Sequence, residues 1–342
     1  MLSATKIQSV FFLSFLTFAL FFSGFLIFFT PLPLIYFHLK QNRIDRYGPA
    51  LIMLGVVVFI YLLGLEPLQA WYQKYPIFVW LFPVPGVNLL EFFSKRVVSF
   101  MGIGCFVFYI VSSYLISFIF QDPKKIFHKI SYSILALFGM AVLFSLFMAL
   151  PDPGHIFESY KIYMTRGIQE FITLKDQPGS DQMALTYLKS ELPQLVDYSL
   201  FLFPAFLLGS LSLIFVLNLV IAKRFFSHPF QGLKKIRLSR FCVPFSVVWC
   251  VVASLALLLI NFKFFENPLL HFVLLNFLII MALVYFLQGL SIVVDFFHRK
   301  KIVGFLQFLF YFFMLIFFQV VAFSLIFLGF FDHWLDVRKL EA

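Results

Sequence analysis

Long apolar stretches alternate with short charged ones along most of the chain. A helix needs about 20 mostly apolar residues to cross a bilayer, and runs of about that length with almost no charge recur throughout the sequence. Backbone polar groups in lipid must be satisfied within each segment, so these runs predict helices. The pattern predicts eight crossings, near residues 10–36, 48–66, 97–120, 131–150, 197–222, 243–262, 268–294 and 303–330.

Two parts of this pattern do not fit a simple crossing. The first apolar run is too long for the apolar region of a signal peptide, and it contains Pro31 and Pro33. We therefore predict an uncleaved first helix that is kinked or broken at the prolines. Residues 75–96 hold a short uncharged stretch that two prolines and a glycine interrupt. This favours a re-entrant or interfacial segment, and the sequence leaves open whether it crosses.

Residues 151–196 form the one sizeable extramembrane stretch that the pattern predicts. Apolar positions recur there at helical spacing on both sides of a polar loop, 176–182, which predicts two amphipathic helices. These positions are Phe157, Tyr160, Met164, Ile168 and Phe171, then Leu185, Leu188, Leu192 and Leu195. We predict an extramembrane helical connector between an N-terminal membrane half, 1–150, and a C-terminal half, 197–342, which ends in a polar tail.

Composition and charge support an all-α polytopic membrane helix bundle with the lipid bilayer as its partner. Of the 342 residues, 62% are hydrophobic and 12% are charged, whereas soluble domains are about 25% charged. The net charge of +10 lies in short clusters between apolar runs, as expected for cytoplasmic loops that face anionic lipid. The cluster in 223–240 is the strongest marker of the cytoplasmic side. No basic stripe on a soluble domain is present to bind nucleic acid.

The motifs that carry enzyme chemistry are missing from the sequence. It contains no phosphate-binding loop of the G-x-x-x-x-G-K-[ST] type, no H-E-x-x-H and no G-x-S-x-G. The three cysteines, Cys105, Cys242 and Cys250, have no metal-ligand spacing. We expect neither an enzyme nor a bound cofactor or metal, and any ATP-driven step would need a separate ATPase.

Polar residues inside the apolar runs are candidates for a solute site. Burying them costs free energy unless they are paired or line a wet cavity. Gln288 and Asp295 are seven residues apart and so share a helix face. The candidate substrate-binding residues are Asn88, Glu91, Asn276, Gln288 and Asp295. The alternative is that these groups form interhelical hydrogen bonds.

The last apolar run ends in two acids, an indole and basic residues: Asp332, Trp334, Asp336 and Arg338. Trp334 suits the interfacial aromatic belt, and the acids, four residues apart, would repel each other on one helix face unless a cation reaches them. One interpretation is a wet helix end. The other is a latch that ties the last helix to a neighbouring loop or partner.

Three segments carry a family resemblance. GLSIVVDFFHRKKI (289–302), LGFFDHWLDVRK (328–339) and PLPLIYFHLK (31–40) resemble the YybS-like family of bacterial multi-pass membrane proteins, a domain of unknown function. That family is distantly similar to the S components of energy-coupling-factor transporters, which bind a small molecule and use a separate ATPase. The resemblance implies a bacterial cytoplasmic (inner) membrane protein whose partners are a separate ATPase or other membrane proteins.

Two functions follow from these observations. The first is a binding or transport component for a small solute that lacks its own ATPase. The second is a membrane scaffold or regulator that holds partners through its basic cytoplasmic loops, such as the one containing Lys234, Lys235 and Arg237, and that transports nothing.

Overall fold

The protein is almost entirely helical in the part of the chain that its computed structural model describes, residues 4–22, 26–40, 48–63, 95–121, 126–149, 153–175, 182–227 and 238–335. These residues form twelve α-helices and no strand, which confirms the predicted all-α class. The helices are α1 Ala4–Phe22, α2 Pro31–Lys40, α3 Gly48–Leu63, α4 Lys95–Gln121, α5 Ile126–Ala149, α6 Pro153–Lys175, α7 Gln182–Phe201, α8 Phe203–Phe226, α9 Phe245–Ile260, α10 Pro268–Arg299, α11 Gly304–Ile316 and α12 Phe318–Leu335.

Six of the described helical segments are long and apolar enough to cross a membrane, against the eight crossings predicted. They are Gly102–Gln121, Ile126–Leu146, Phe203–Phe226, Phe245–Phe265, Pro268–Arg299 and Phe318–Leu335. Val10–Phe21 and Gly304–Met314 are apolar but shorter. The predicted re-entrant segment 75–96 lies outside the described residues, apart from its last two, which begin α4.

The first predicted crossing is a broken helix. α1 ends at Phe22, a 3₁₀ turn follows at Ile27–Phe29, and α2 begins at Pro31. The break was predicted, but the prolines do not cause it; they lie just beyond it. Pro31 is the first residue of α2, a position where the missing N–H has no helical partner to lose.

The last predicted crossing, 303–330, is also two helices. α11 and α12 meet at Phe317, whose backbone angles (φ −105°, ψ 37°) leave the helical region. Before α11, the chain turns at Lys301, which has a left-handed φ of 50°. The Ile302 N–H donates to the Phe297 carbonyl over 3.0 Å, which is the bond that closes a Schellman cap.

A tight turn joins α9 to α10. The Asn261 side chain donates to the Asn267 carbonyl and accepts from the Asn267 N–H, both over 3.1 Å. The Asn267 side chain in turn accepts from the N–H groups of Leu269 and Leu270 and so caps α10. Two asparagines therefore close this helical hairpin.

The chain folds into two compact units. The N-terminal unit comprises residues 1–201 and 210–233, and the C-terminal unit comprises 202–209 and 234–342. In the N-terminal unit, Phe21 of α1 packs edge-on against Phe106 of α4, with ring centroids 4.9 Å apart. In the C-terminal unit, Val243, Val248 and Val251 form a buried cluster with Tyr285.

The two helices predicted on either side of the loop 176–182 are present as α6 and α7 in the N-terminal unit. Lys161 and Asp197 join the two helices through a 2.6 Å ion pair. Burial, together with neighbouring Tyr160, raises the pKa of Tyr163 to about 12. Burial also raises the pKa of Tyr160, and a hydrogen bond with Ser199 opposes that rise.

Candidate functional site

The C-terminal unit is organised around a close crossing of α10 and α12. A Cβ atom on Gly289 would lie 2.0 Å from the Leu325 carbonyl oxygen, and one on Gly329 would lie 2.1 Å from the Tyr285 carbonyl oxygen. No side chain fits at either position. Small residues allow helix backbones in a membrane to approach this closely, and the geometry directs glycine Cα–H groups at carbonyl oxygens.

Gln288 lies beside this crossing and is fully buried. Its Oε1 accepts a 2.9 Å hydrogen bond from the Val243 N–H, which precedes α9. Its Nε2 donates to Asp332 Oδ2 over 3.2 Å and lies 4.0 Å from Cys242 Sγ. One amide therefore links α10 both to the segment that leads into α9 and to the end of α12.

Asp332 is the buried acid of the site, with 6% of its surface exposed. It belongs to the last full turn of α12, and Gln288 donates to its carboxyl group. Acids inside helix bundles are uncommon because their burial is expensive, and they often mark a solute or ion pathway. The sequence assigned Asp332 to a latch and Gln288 to a solute site, and the structure brings the two residues together.

Ser291 extends the polar group by one helical turn. Its Oγ lies 2.7 Å from the Gln288 carbonyl and 3.1 Å from the Phe241 carbonyl. Ser291, Gln288 and the segment 241–243 therefore hold the start of α9 against α10 through backbone groups. A backbone segment that has left a helix needs such partners when it is buried.

Aromatic rings surround the end of α12. Tyr285 packs edge-on against Phe330, with centroids 5.2 Å apart, and His333 lies 6.5 Å from Tyr285. Phe245, at the start of α9, is 5.8 Å from His333 and 6.0 Å from Trp334. About half of Trp334 is exposed, as suits an indole at a membrane interface.

Asn276, another predicted site residue, is buried farther along α10. Its Oδ1 accepts a 3.0 Å hydrogen bond from the Ala205 N–H in the first turn of α8, and its Nδ2 donates to the Phe272 carbonyl. First-turn N–H groups have no partner within their own helix. Asn276 and Gln288 thus do the same job, each accepting a buried backbone N–H where another helix begins.

The remaining predicted residues do not join this site. Asp295 forms an ion pair with Arg299 one turn farther along α10, at 2.9 Å, so its carboxylate interacts within its own helix. Asn88, Glu91, Asp336 and Arg338 lie outside the described residues.

The groups that position Gln288 and Asp332 were not predicted. Gly289 and Gly329 were assigned no role from the sequence, although single glycines in long apolar helices are a known sign of close packing. Cys242, whose Sγ lies 4.0 Å from Gln288 Nε2, is exposed. No sequence signal marks Ser291 or the Val243 N–H, because their roles depend on which segments meet.

The chemistry of the site is that of a carboxyl group held by a buried amide. A carboxylate accepts hydrogen bonds or binds a cation, and a protonated carboxyl donates one hydrogen bond. Within the described residues, no group of three or more His, Cys, Asp or Glu side chains is placed to hold a metal ion.

Comparison with known proteins identifies a family. A family model described as "Predicted membrane protein (DUF2232)" matches residues 93–333, which is more than half of the chain and spans both Gln288 and Asp332. No curated protein and no solved structure matches the sequence. The chain belongs to the DUF2232 family of predicted membrane proteins.

Proposed function

We propose that the protein is a membrane component that binds a small solute at Asp332 and depends on a separate partner for energy. The observation that carries this proposal is the 3.2 Å contact between Gln288 Nε2 and the buried Asp332 carboxyl group. The solute would carry a positive charge or hydrogen-bond donors, because a carboxylate attracts cations and accepts hydrogen bonds.

The position of the acid supports a binding role. α10 carries no Asp, Glu, Lys or Arg from Pro268 to Val294, so Gln288 lies within an apolar stretch, about 10 Å along the helix from Asp295. An acid that contacts this residue lies in an apolar setting, where a bound cation would be strongly attracted. The resemblance to YybS-like proteins, and through them to transporter S components, favours the same class of function.

Binding of organic cations to the purified protein tests the proposal. We expect tetramethylammonium, guanidinium or putrescine to raise the unfolding temperature in detergent, because a ligand that binds only the folded state stabilises it. Asp332→Asn should abolish that rise, whereas Asp295→Asn, which removes an acid already paired within α10, should retain it. If the rise is absent in the wild type, or survives in Asp332→Asn, the proposal fails.

A scaffold function is the second candidate, and one observation favours it. Two of the three amides predicted as solute contacts, Asn276 and Gln288, accept backbone N–H groups and hold helices together. A rigid, hydrogen-bonded bundle suits a protein whose task is to present loops to partners. In that case proteins copurify with the wild type and are lost when Lys234, Lys235 and Arg237 are neutralised, while Asp332→Asn leaves them bound.

A further inference from the structure

Beside the described part of the break between α1 and α2, residues 26–30, lies a buried amide oxygen that no group of the described chain satisfies. Asn218, on the part of α8 that belongs to the N-terminal unit, is fully buried. Its Nδ2 donates to the Phe28 carbonyl over 2.8 Å and to the Ile214 carbonyl over 2.9 Å. Its Oδ1 has no hydrogen-bond partner among the described residues.

The amide is held at the break by the path of α8. Asn218 donates to the carbonyl of Phe28 in the 3₁₀ turn. Eight residues farther along each segment, Phe226 of α8 packs against Tyr36 of α2, with ring centroids 5.4 Å apart. α8 and α2 therefore run in parallel, with Asn218 beside the 3₁₀ turn Ile27–Phe29. Since Oδ1 and Nδ2 belong to one small planar group, Oδ1 also lies within a few ångströms of the Phe28 carbonyl.

In the described part of the break, residues 26–30, and at the start of α2, several backbone donors are already used or absent. The Phe29 and Thr30 N–H groups already donate, to Leu26 and Ile27, and the Thr30 hydroxyl donates to the Ile27 carbonyl. Pro31 and Pro33 open α2 and have no N–H group. These described groups offer an anion little, although the break immediately precedes a helix N-terminus.

We propose that the break binds a monovalent metal cation through neutral oxygens, with Asn218 Oδ1 as the central ligand. Thr30, whose hydroxyl oxygen is fully buried beside the turn, is the second side chain of the site. Unwound backbone between two half-helices coordinates monovalent cations in membrane transporters, whereas divalent cations prefer carboxylates. This site lies in the N-terminal unit and does not rest on the function proposed for Asp332.

A cation titration of the purified, full-length protein tests the site. We expect the unfolding temperature in detergent to rise by several degrees and then saturate as NaCl, KCl or LiCl replaces choline chloride at constant ionic strength, with one of the metal ions preferred. The alternative is a buried water that donates a hydrogen bond to Asn218 Oδ1. Equal unfolding temperatures in all four salts would mean that water fills the break, and would overturn the proposal.

Variants at the two side chains locate the effect. Thr30→Val removes one oxygen with little change of shape, and it should weaken the apparent cation affinity at least tenfold. Asn218→Leu should abolish the cation dependence. If that variant does not fold, Asn218→Asp keeps an oxygen in place and adds a charge, so it should bind the cation more tightly than the wild type.

Asn276→Leu is the matched control, because it also removes a buried helix amide, but one whose oxygen and nitrogen are both hydrogen-bonded. It should lower stability and leave the cation dependence unchanged. If the cation dependence persists in Asn218→Leu, or is unchanged in both Thr30→Val and Asn218→Asp, the cation binds elsewhere and the assignment is wrong.

Discussion

Gly289 and Gly329 lie face to face where α10 crosses α12, so that a Cβ on Gly329 would lie 2.8 Å from the Gly289 nitrogen. The obstacles around both glycines are backbone atoms, which cannot rotate away as a side chain can. We therefore expect Gly289→Ala or Gly329→Ala to lower the free energy of unfolding by about 1–3 kcal/mol or more, as overpacking does. Thermal unfolding in detergent measures the loss.

Gly55 and Gly139 provide the control for this prediction. A Cβ on either would have no atom within 4 Å, and alanine is the better helix former by about 1 kcal/mol. Gly55→Ala and Gly139→Ala should leave stability unchanged or raise it. Equal losses at all four glycines would contradict the close crossing.

The Gln288–Asp332 contact should appear as an energetic coupling. Gln288→Leu leaves the buried Val243 N–H without its acceptor, which costs about 1–3 kcal/mol. In a double-mutant cycle with Asp332→Leu, we expect a coupling free energy of about 0.6–2 kcal/mol, the range for hydrogen bonds between membrane helices. Unfolding by SDS in mixed micelles gives the four free energies.

Asp295 supplies the comparison cycle. It lies seven residues from Gln288 on the same helix but pairs with Arg299, so the coupling of Gln288→Leu with Asp295→Leu should be near zero. If the Gln288–Asp295 coupling is as large as the Gln288–Asp332 coupling, both cycles measure a general destabilisation of α10 and not the Gln288–Asp332 contact.

The α6–α7 hairpin should lose stability at alkaline pH. Burial raises the pKa of Tyr163 from 10.0 to about 12, so the folded hairpin keeps a neutral phenol where the unfolded chain has a phenolate. The stability that depends on this phenol is fully present below pH 10 and is lost as the pH rises to about 12, in total about 3 kcal/mol. Thermal unfolding of Tyr163→Phe should depend less on pH in that window than the wild type, and equal dependence would refute the assignment.

Cys242 can report the orientation of the chain. It is exposed and immediately follows the basic cluster in 223–240 that predicts the cytoplasmic side. In a variant that carries Cys105→Ser and Cys250→Ser, we expect a membrane-impermeant thiol reagent to label Cys242 in inside-out vesicles but not in sealed cells. Permeabilised cells should also be labelled. Labelling in sealed cells would reverse the predicted topology.

Helix positions followed from the sequence where charge limits an apolar run. The predicted crossing 97–120 corresponds to α4, Lys95–Gln121. The predicted crossing 268–294 corresponds to α10, Pro268–Arg299, which continues past Asp295 for one more turn. The breaks after Phe22 and at Phe317 were missed or misplaced because the residues on both sides are equally apolar. Composition then carries no information about where the backbone leaves the helix.

The candidate site was predictable as a set of residues but not as a set of contacts. Gln288 and Asn276 were selected because polar groups in apolar helices are expensive, and Asp332 because it ends the last apolar run; all three are buried. Spacing along one helix suggested Asp295 as the neighbour of Gln288, whereas its partner is Asp332 on another helix. That pairing is set by the crossing at Gly289 and Gly329, and therefore by tertiary structure.

The short α9–α10 turn keeps these two helices close in sequence, so they can pair before the rest of the chain has been synthesised. Val243 and Gln288 are 45 residues apart, and Asp332 follows Gln288 by another 44. Gln288 can therefore receive the Val243 N–H while the last helix is still being synthesised. α12 then packs onto a hairpin of α9 and α10 that has already formed. Its Asp332 carboxyl group accepts from Gln288 Nε2, while Gln288 Oε1 already accepts from the Val243 N–H.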